Sequence, residues 1–222
     1  MPIINNDTKN TKKKIIDQAT LYFYDKGYHE SALDEIAAAL GIRKSLISYH
    51  FNNKQNLALV IYSIYLKSIK STVTTRYFEK YKSYDLQLGT AVEMRAMLNH
   101  YYNDKNAFRF YSVVAPMTMY STRDDTIDFW KIHDKKYNLP INHDIDELTL
   151  LANAARGATI NLIVSYFYNK IHCNFDDFSN YRIEIPFRMM KINEERIDTI
   201  VQESKRIYDD LDFKFKPYFK II

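Results

Sequence analysis

The stretch LDEIAAALGIRKSLISYHF, residues 33–51, constrains the fold of this chain more than any other feature. It predicts two short helices joined by a tight turn, because apolar residues recur at helical spacing on both sides of a glycine. The apolar faces come from Ile36, Leu40, Ile42 and Ile47. Ala37 must be small where the helices cross, and Gly41 can adopt the left-handed conformation that the turn requires. The alternative is an ordinary amphipathic hairpin, which does not require small residues at these two positions.

The residues on either side of this motif carry a family resemblance. They read IIDQATLYFYDKGYHES over 15–31 and NNKQNL over 52–57. From Lys12 to Leu66 the chain resembles the DNA-binding domain of TetR-type transcriptional regulators. The resemblance implies a helix-turn-helix DNA-binding domain over residues 9–69, with the motif itself at about 32–51. It further implies a C-terminal regulatory domain over residues 70–222, which binds a ligand and forms the dimer.

Composition favours an all-α protein and gives no sign of catalysis. Glycine (4) and proline (5) are scarce among the 222 residues, and the periodic stretches are helical rather than alternating. No spacing typical of a metal site, a phosphate-binding loop or a nucleophile motif occurs, so we expect no enzyme, no metal and no cofactor. Cys173 lies beside His172, but adjacent helical residues point about 100° apart, which disfavours a catalytic pair.

The chain carries no stretch suited to export or membrane insertion. Residues 1–5, MPIIN, lack the apolar region of a signal peptide. No run of about 18 apolar residues is present, and the single cysteine excludes an intrachain disulfide. We therefore expect a cytoplasmic protein with no membrane partner.

Periodicity and capping residues predict helices throughout. In the head we expect helices over 11–26, 33–40 and 44–50, and a fourth running from Asn53, its N-cap, to about residue 79. Ser31 is the expected N-cap of the second helix, and Ile16 and Ile64 are expected to face inward. In the body the predicted helices cover 85–103, 105–120, 124–137, 145–170, 180–190 and 193–209, with a turn at 174–177.

Positive charge is concentrated in the head. Residues 1–69 hold nine Lys/Arg and six Asp/Glu, although the net charge of the whole chain is only +4. The excess begins with an arm containing Lys9, Lys12, Lys13 and Lys14. A basic arm beside a helix-turn-helix suits contact with DNA phosphates. A solvated polar tail would have the same composition.

The resemblance assigns roles along the third helix. Base-reading positions are occupied by Lys44, Ser45 and Leu46. Backbone-contacting positions are occupied by Ser31, Arg43, Ser48, Tyr49, His50 and Lys54. Arg43 and Lys44 place two cations at the positive end of a helix dipole, at a cost of about 0.3–1 kcal/mol each that a phosphate would offset. The plain alternative is that both side chains point into water.

Two stripes in the body are candidates for the dimer interface. On the long helix the stripe comprises Leu151, Ala155, Thr159, Leu162 and Tyr166. On the last helix it comprises Ile197, Ile200, Val201, Ser204 and Ile207. Pairing of both helices with their two-fold mates would give a four-helix bundle, the dimer that the resemblance implies. Alternatively, both stripes face the core of their own protomer.

A ligand pocket in the body is the weakest of these expectations. Its candidate lining is Arg95, Tyr102, Arg109, Phe110, Met117, Tyr120, Trp130 and Arg156. Apolar walls with a few polar groups are typical of pockets. The aromatic residues could equally be plain core, and the arginines could pair with body carboxylates.

Together these patterns favour a homodimeric repressor that binds a palindromic operator in double-stranded DNA and is released by an unknown small-molecule inducer. One alternative is a TetR-like regulator that answers to a protein partner or acts as an activator. Another, of a different class, is an α-helical ligand-binding or enzymatic protein that does not bind DNA.

Overall fold

The computed structural model describes residues 6–120 and 125–222, and within them the chain is almost wholly α-helical, which confirms the predicted fold class. The α-helices are α1 (Asn6–Asp25), α2 (Leu33–Ala39), α3 (Lys44–Phe51), α4 (Lys54–Tyr81), α5 (Leu86–Asn103), α6 (Lys105–Met117), α7 (Asp125–Tyr137), α8 (Glu147–Phe167), α9 (Phe175–Met189) and α10 (Glu194–Leu211). The expectations for residues 1–5 and for the helix start at residue 124 lie outside the described residues.

The first three helices form the head. On α1 the side chains of Ile15, Ala19 and Phe23 are fully buried. Ile16 was expected in that position, but it is only partly buried at the edge of the core. Gly41 has φ +64, and no atom lies within 4 Å of where a Cβ would stand. This glycine is therefore required by the backbone conformation of the turn rather than by lack of space.

Helices α2 and α4 begin with different capping arrangements. Asn53 caps α4 as predicted, since its Oδ1 accepts from the backbone N–H of Asn56 at 2.8 Å. The predicted cap of α2 is wrong, because Ala32 occupies the cap position. Ser31 is fully buried and its hydroxyl donates to the carbonyl of Gly27 at 2.7 Å. Ser31 thus closes the loop between α1 and α2.

Helix α4 belongs to both head and body. It runs without interruption through the boundary expected at residue 69. Leu57 and Tyr65 are buried on its inner side. Ile64 was expected to face inward but is 48% exposed, because α5 and α6 cover a different side of α4. A displacement of α4 in the body would therefore reach the head directly.

The body contains two buried clusters. Helix α5 packs against α4, α6 and α10, whereas α8 packs mainly against α7 and α9. The segment 174–177, expected as a turn, instead begins α9, because Asn174 Oδ1 accepts from the N–H of Asp177. A short antiparallel hairpin of β1 (Phe215–Lys216) and β2 (Lys220–Ile221) follows α10 and was not predicted. No helix among the described residues has the length and apolar character to cross a bilayer.

The apolar stripe of α10 faces the core of its own protomer. Ile197, Ile200, Ser204 and Ile207 are buried there, and α5 runs alongside them. Val201 is partly buried at the edge of the stripe. The predicted dimer contact is wrong for the four buried residues, because they already have a partner within the chain, and it stays a prediction for Val201.

Arg95 joins three helices of the body. Its side chain is only 3% exposed. Its Nε donates to Ser204 Oγ at 2.9 Å, and its Nη2 donates to Asn180 Oδ1 at 2.8 Å and to the carbonyl of Val201 at 2.7 Å. These bonds tie α5 to α9 and α10. Arg95 was expected in a ligand pocket, but its hydrogen-bonding capacity is used within the protein.

Replacing Arg95 tests this role. We expect Arg95→Met to lower the free energy of unfolding by about 2–4 kcal/mol, since three buried or partly buried acceptors lose a donor. Urea unfolding monitored by circular dichroism measures the change. The control is Arg206→Met, an exposed arginine on α10, for which a change of about 0.5 kcal/mol or less is expected. Equal stability of the Arg95→Met and wild-type proteins would contradict the structural role.

Candidate nucleic-acid interface

The inner face of α3 fixes the helix on the head. Ile47 is fully buried and Phe51, one turn later, is 4% exposed. Both belong to the cluster that also contains Ile15 and Phe23 of α1 and Leu57 of α4. Because this face is held from two sides, the opposite face of α3 has a defined orientation towards solvent.

The outer face of α3 is polar and exposed. Arg43, Lys44 and Ser45 at the start of the helix are all exposed. Tyr49, one turn after Ser45, is 77% exposed, which is unusual for an aromatic side chain with no covering element. Leu46, Ser48 and His50 are partly buried at the sides of this face. We call Arg43, Lys44, Ser45 and Tyr49 the α3 outer face.

Charge on the outer face is available to an anion. The first turn of α3 contains no acidic residue, and Arg43 makes no ion pair with any described residue. Lys44 Nζ lies 2.8 Å from Asp34 Oδ2 of α2, but both side chains are more than half exposed. An exposed pair of this kind is worth about 0–1 kcal/mol. A bidentate base contact, at about 1–3 kcal/mol, is sufficient to replace it.

Two of the predicted backbone contacts are engaged within the head. Ser31 is fully buried, so the prediction that it contacts a phosphate is wrong. Lys54 is partly buried: its Nζ donates to the carbonyl of His29 at 3.2 Å and lies 4.4 Å from the ring centroid of Tyr28. Burial lowers the pKa of Lys54. A phosphate would have to draw this amino group away from the α1–α2 loop.

The basic segment before the motif is helical rather than an extended arm. Lys9, Lys12, Lys13 and Lys14 lie in α1 and are exposed. Lys12 Nζ lies 5.6 Å from the ring centroid of Phe51, so this cation is next to the last turn of α3. Sequence reasoning missed this neighbour, since the signal needed was the packing of α1 across α3.

The eight candidate ligand residues do not form one site. Phe110 and Trp130 are buried in different clusters of the core. Tyr102 is exposed and stacks on Phe175, while Tyr120 is 84% exposed. Met117 is partly buried, and Arg156 Nη1 lies 3.4 Å from the carbonyl of Thr118. With Arg95 joining three helices and Arg109 at the head, the prediction of one pocket from these residues is wrong.

The candidate dimer residues on α8 face mostly inward. Ala155 is buried, and Leu151, Thr159 and Leu162 are partly buried against the core clusters or beside them. Tyr166 stacks on Phe178 of α9 with ring centroids 4.0 Å apart. The outward side of α8 is offset by about one residue. It carries the exposed Leu150, Ala154 and Asn161 and the partly buried Gly157, and the exposed Tyr168 follows directly after the helix. We call these five residues the α8 outer stripe.

Two polar links connect the head to the body. Arg109 of α6 donates through Nη2 to the carbonyls of Tyr24 and Asp25 at the end of α1, at 2.6 and 2.9 Å. Gly27, at φ +94, leaves room for that arginine, because a Cβ there would lie 3.1 Å from its Nε. The second link is the hydroxyl of Tyr24, which donates to Asp104 Oδ2 at 2.7 Å.

The head is similar in sequence to a known family of regulatory proteins. The sequence profile described as "Bacterial regulatory proteins, tetR family" matches residues 15–61. The chain is 42% identical over 59 residues to the biofilm operon icaADBC HTH-type negative transcriptional regulator IcaR of Staphylococcus aureus, covering 27% of this chain and 28% of the relative. The IcaR of Staphylococcus epidermidis is 38% identical over 60 residues. The matched part thus spans less than a third of these relatives.

The fold of the whole chain also has solved counterparts. RolR in complex with resorcinol superposes with a TM-score of 0.59 at 16% identity, covering 88% of this chain and 94% of that one. RolR without ligand gives a TM-score of 0.54 at 15% identity, covering 94% and 100%. At this identity the likeness concerns the fold alone. The helix-turn-helix region of this chain is therefore similar to that of TetR-family regulators, and the fold of the whole chain resembles that of RolR.

Proposed function

We propose that this protein is a cytoplasmic, homodimeric repressor that binds a palindromic operator and releases it when a small molecule binds the body. The observation that carries the proposal is the α3 outer face, which is exposed, cationic and polar while its inner face is buried. A helix with this polarity suits insertion into the major groove, where side chains read base edges.

Contacts on the α3 outer face divide into two kinds. Lys44 and Ser45, at the start of α3, are placed to meet base edges, and the partly buried Leu46 lies beside them. Arg43, Tyr49 and the lysines of α1 surround this centre and suit phosphate oxygens. Ser48 and His50 flank Tyr49, whose ring lies edge-on to that of His50 at 5.2 Å. His50 therefore supports the orientation of Tyr49.

A second copy of the chain is the partner that this mode of binding requires. Two helices α3 must enter successive major grooves about 34–36 Å apart. The α8 outer stripe is the surface that we assign to the two-fold contact. Ala154 and Gly157 allow helix axes to approach closely, and Leu150 supplies apolar area. No atom lies within 4 Å of a Cβ built at Gly157, so this side of α8 is uncovered in the protomer.

Release follows from the contacts between body and head. Arg109 grips the end of α1, and α4 is shared by head and body. A ligand that shifts α6 or α4 therefore changes the separation of the two heads and removes their simultaneous contact with DNA. The size of this effect is set by how much more tightly the ligand binds the DNA-incompetent conformation than the DNA-competent one.

The first test concerns phosphate contact by Arg43. Gel-shift titrations on an operator selected from random DNA, at several salt concentrations, should give a steep negative slope of log affinity against log salt. Arg43→Gln should weaken binding to all sequences and reduce that slope by about one unit. Lys131→Gln, an exposed lysine on α7, serves as control and should leave the slope unchanged. A shallow slope for the wild-type protein would exclude DNA binding through this face.

The second test concerns base reading by Ser45. Ser45→Ala should change the preferred base at one operator position by about 1–3 kcal/mol. Its side chain is exposed, and alanine favours a helix, so the fold should be retained. Selection on random DNA measures the preference. Ser48→Ala, at the side of α3, is the matched control and should leave the preferred sequence unchanged. Identical preferences for Ser45→Ala and wild type would remove Ser45 from the base-reading set.

The third test concerns the dimer. Gly157→Glu should convert the dimer to a monomer, since it places a charge on the α8 outer stripe, while open space there leaves the protomer fold intact. Light scattering coupled to size exclusion measures the mass. Gln202→Glu makes the same charge change on the exposed side of α10 and should remain dimeric. Loss of the dimer in Gln202→Glu alone would reassign the interface to α10.

A further inference from the structure

Arg182 of α9 is a buried cation for which the described residues supply no ion-pair partner. It is only 6% exposed, and its Nε and Nη1 atoms have no hydrogen-bond partner among the described residues. It makes no salt bridge with any of those residues either. A guanidinium removed from water without hydrogen bonds costs several kcal/mol. Buried polar groups in proteins nearly always have hydrogen-bond partners. An unpaired buried arginine therefore points to a partner from outside the chain.

Arg95, the other buried arginine of the body described above, does have hydrogen-bond acceptors within the protein. Both arginines are buried in the body, and burial lowers the pKa of each. Arg95 donates to a hydroxyl, a side-chain amide and a backbone carbonyl. Arg182 has no comparable acceptor, so packing in the body does not by itself account for a cation at this position.

The surroundings of Arg182 are tyrosines rather than carboxylates. Besides burial, the groups that influence the pKa of Arg182 are Tyr111 of α6, Tyr101 of α5 and Tyr62 of α4. All three tyrosines are buried, and burial raises the pKa of each, that of Tyr62 to about 12. They are therefore neutral near pH 7 and leave the arginine's charge uncompensated. The rings of Tyr101 and Tyr111 lie close together, with centroids 4.5 Å apart.

We propose that Arg182, with Tyr62, Tyr101 and Tyr111, forms the binding site for a small carboxylate, which is the ligand that releases DNA. This inference rests on the proposed repressor function and specifies its ligand. The guanidinium supplies the parallel N–H donors that pair with both oxygens of a carboxylate. Tyrosine hydroxyls are further donors, and their rings form a flat apolar wall for the rest of the molecule.

Helix α6 gives this site a short route to the head. Tyr111 lies two residues after Arg109, whose guanidinium grips the last carbonyls of α1. Tyr101 of α5 precedes Asp104, which accepts a hydrogen bond from Tyr24 of α1. A carboxylate seated between Arg182 and these tyrosines would therefore move the two helices that hold α1.

The test compares anions with matched neutral molecules in the absence of DNA. Benzoate and acetate, at constant ionic strength, should raise the melting temperature of the wild-type protein, by about 3–6 °C at ten times the dissociation constant. Benzamide and acetamide have the same shape without the charge and should raise it less. An equal shift by the neutral amides, or no shift by either carboxylate, would overturn the site.

Variants separate a ligand anchor from a structural residue. Arg182→Met should raise the melting temperature without ligand, because it removes an unpaired buried charge, and should abolish the response to carboxylates. Arg95→Met should instead lower the melting temperature. Tyr111→Phe keeps the ring and should weaken the carboxylate response while the protein stays folded. A lower melting temperature of Arg182→Met, with the wild-type carboxylate response retained in Tyr111→Phe, would assign Arg182 a structural role.

A DNA-binding assay keeps the two proposals distinguishable. Benzoate should release operator DNA from the wild-type protein but not from Arg182→Met, which retains the α3 outer face. Carboxylate binding by a protein that never binds DNA would support the site and refute the repressor function. Salt-dependent DNA binding with no response of the melting temperature to carboxylates would refute the site alone.

Discussion

The burial of Ile47 and Phe51 is the constraint on which the rest of the head depends. These two side chains seat α3 against α1 and α4, and they are one helical turn apart. A short helix is marginal in water by itself, so α3 takes both its stability and its orientation from this contact. Gly41, at φ +64, sets the angle at which α3 leaves α2. Lys44, Ser45 and Tyr49 are exposed as a consequence of this packing, since a helix buried on one face turns its opposite face towards solvent.

The body contacts the head through aromatic packing, with Phe110 against Phe23 and Phe219 against Tyr24, and through directional polar links. Arg109 reaches two carbonyls at the end of α1, where the helix has no further partners for them. Tyr24 joins α1 to Asp104, whose carboxylate also lies 3.4 Å from Nε2 of the buried His100. Charge-assisted hydrogen bonds of this kind are directional, so a small displacement of α5 or α6 changes them more than it would change an apolar contact.

Features determined by residues close together in the sequence could be predicted better than features determined by residues far apart. The helix-turn-helix was predictable because Ala37, Gly41 and Ile47 act within about fifteen residues of one another. The cap at Asn53 was correct for the same reason. The predicted N-cap at Ser31 was wrong because its hydroxyl donates to the carbonyl of Gly27, four residues earlier in the chain. Serine side chains can form either kind of hydrogen bond, and the sequence does not show which one forms. The ranges of the body helices were close, since they follow from periodicity alone.

Predictions that depended on what covers a helix failed more often. The periodicity of α10 identifies an apolar stripe, but it does not tell whether α5 or a second chain lies against Ile200 and Ile207. On α8 the apolar character extends around much of the helix, so the outward side could not be chosen without knowing where α7 and α9 pack. The candidate pocket failed because Phe110 and Trp130 belong to different clusters of the core.

The arginines show most clearly where sequence information ends. Arg95 and Arg182 both lie in amphipathic helices. The residues adjacent to them in the sequence do not indicate whether either guanidinium will find hydrogen-bond acceptors. The difference arises from residues far away in the chain: Ser204 and Asn180 accept hydrogen bonds from Arg95, whereas no described residue accepts one from Nε or Nη1 of Arg182. Because an unpaired buried charge is costly and a satisfied one is not, the functional meaning of a buried arginine depends on its acceptors. Those acceptors are defined only once the helices have packed.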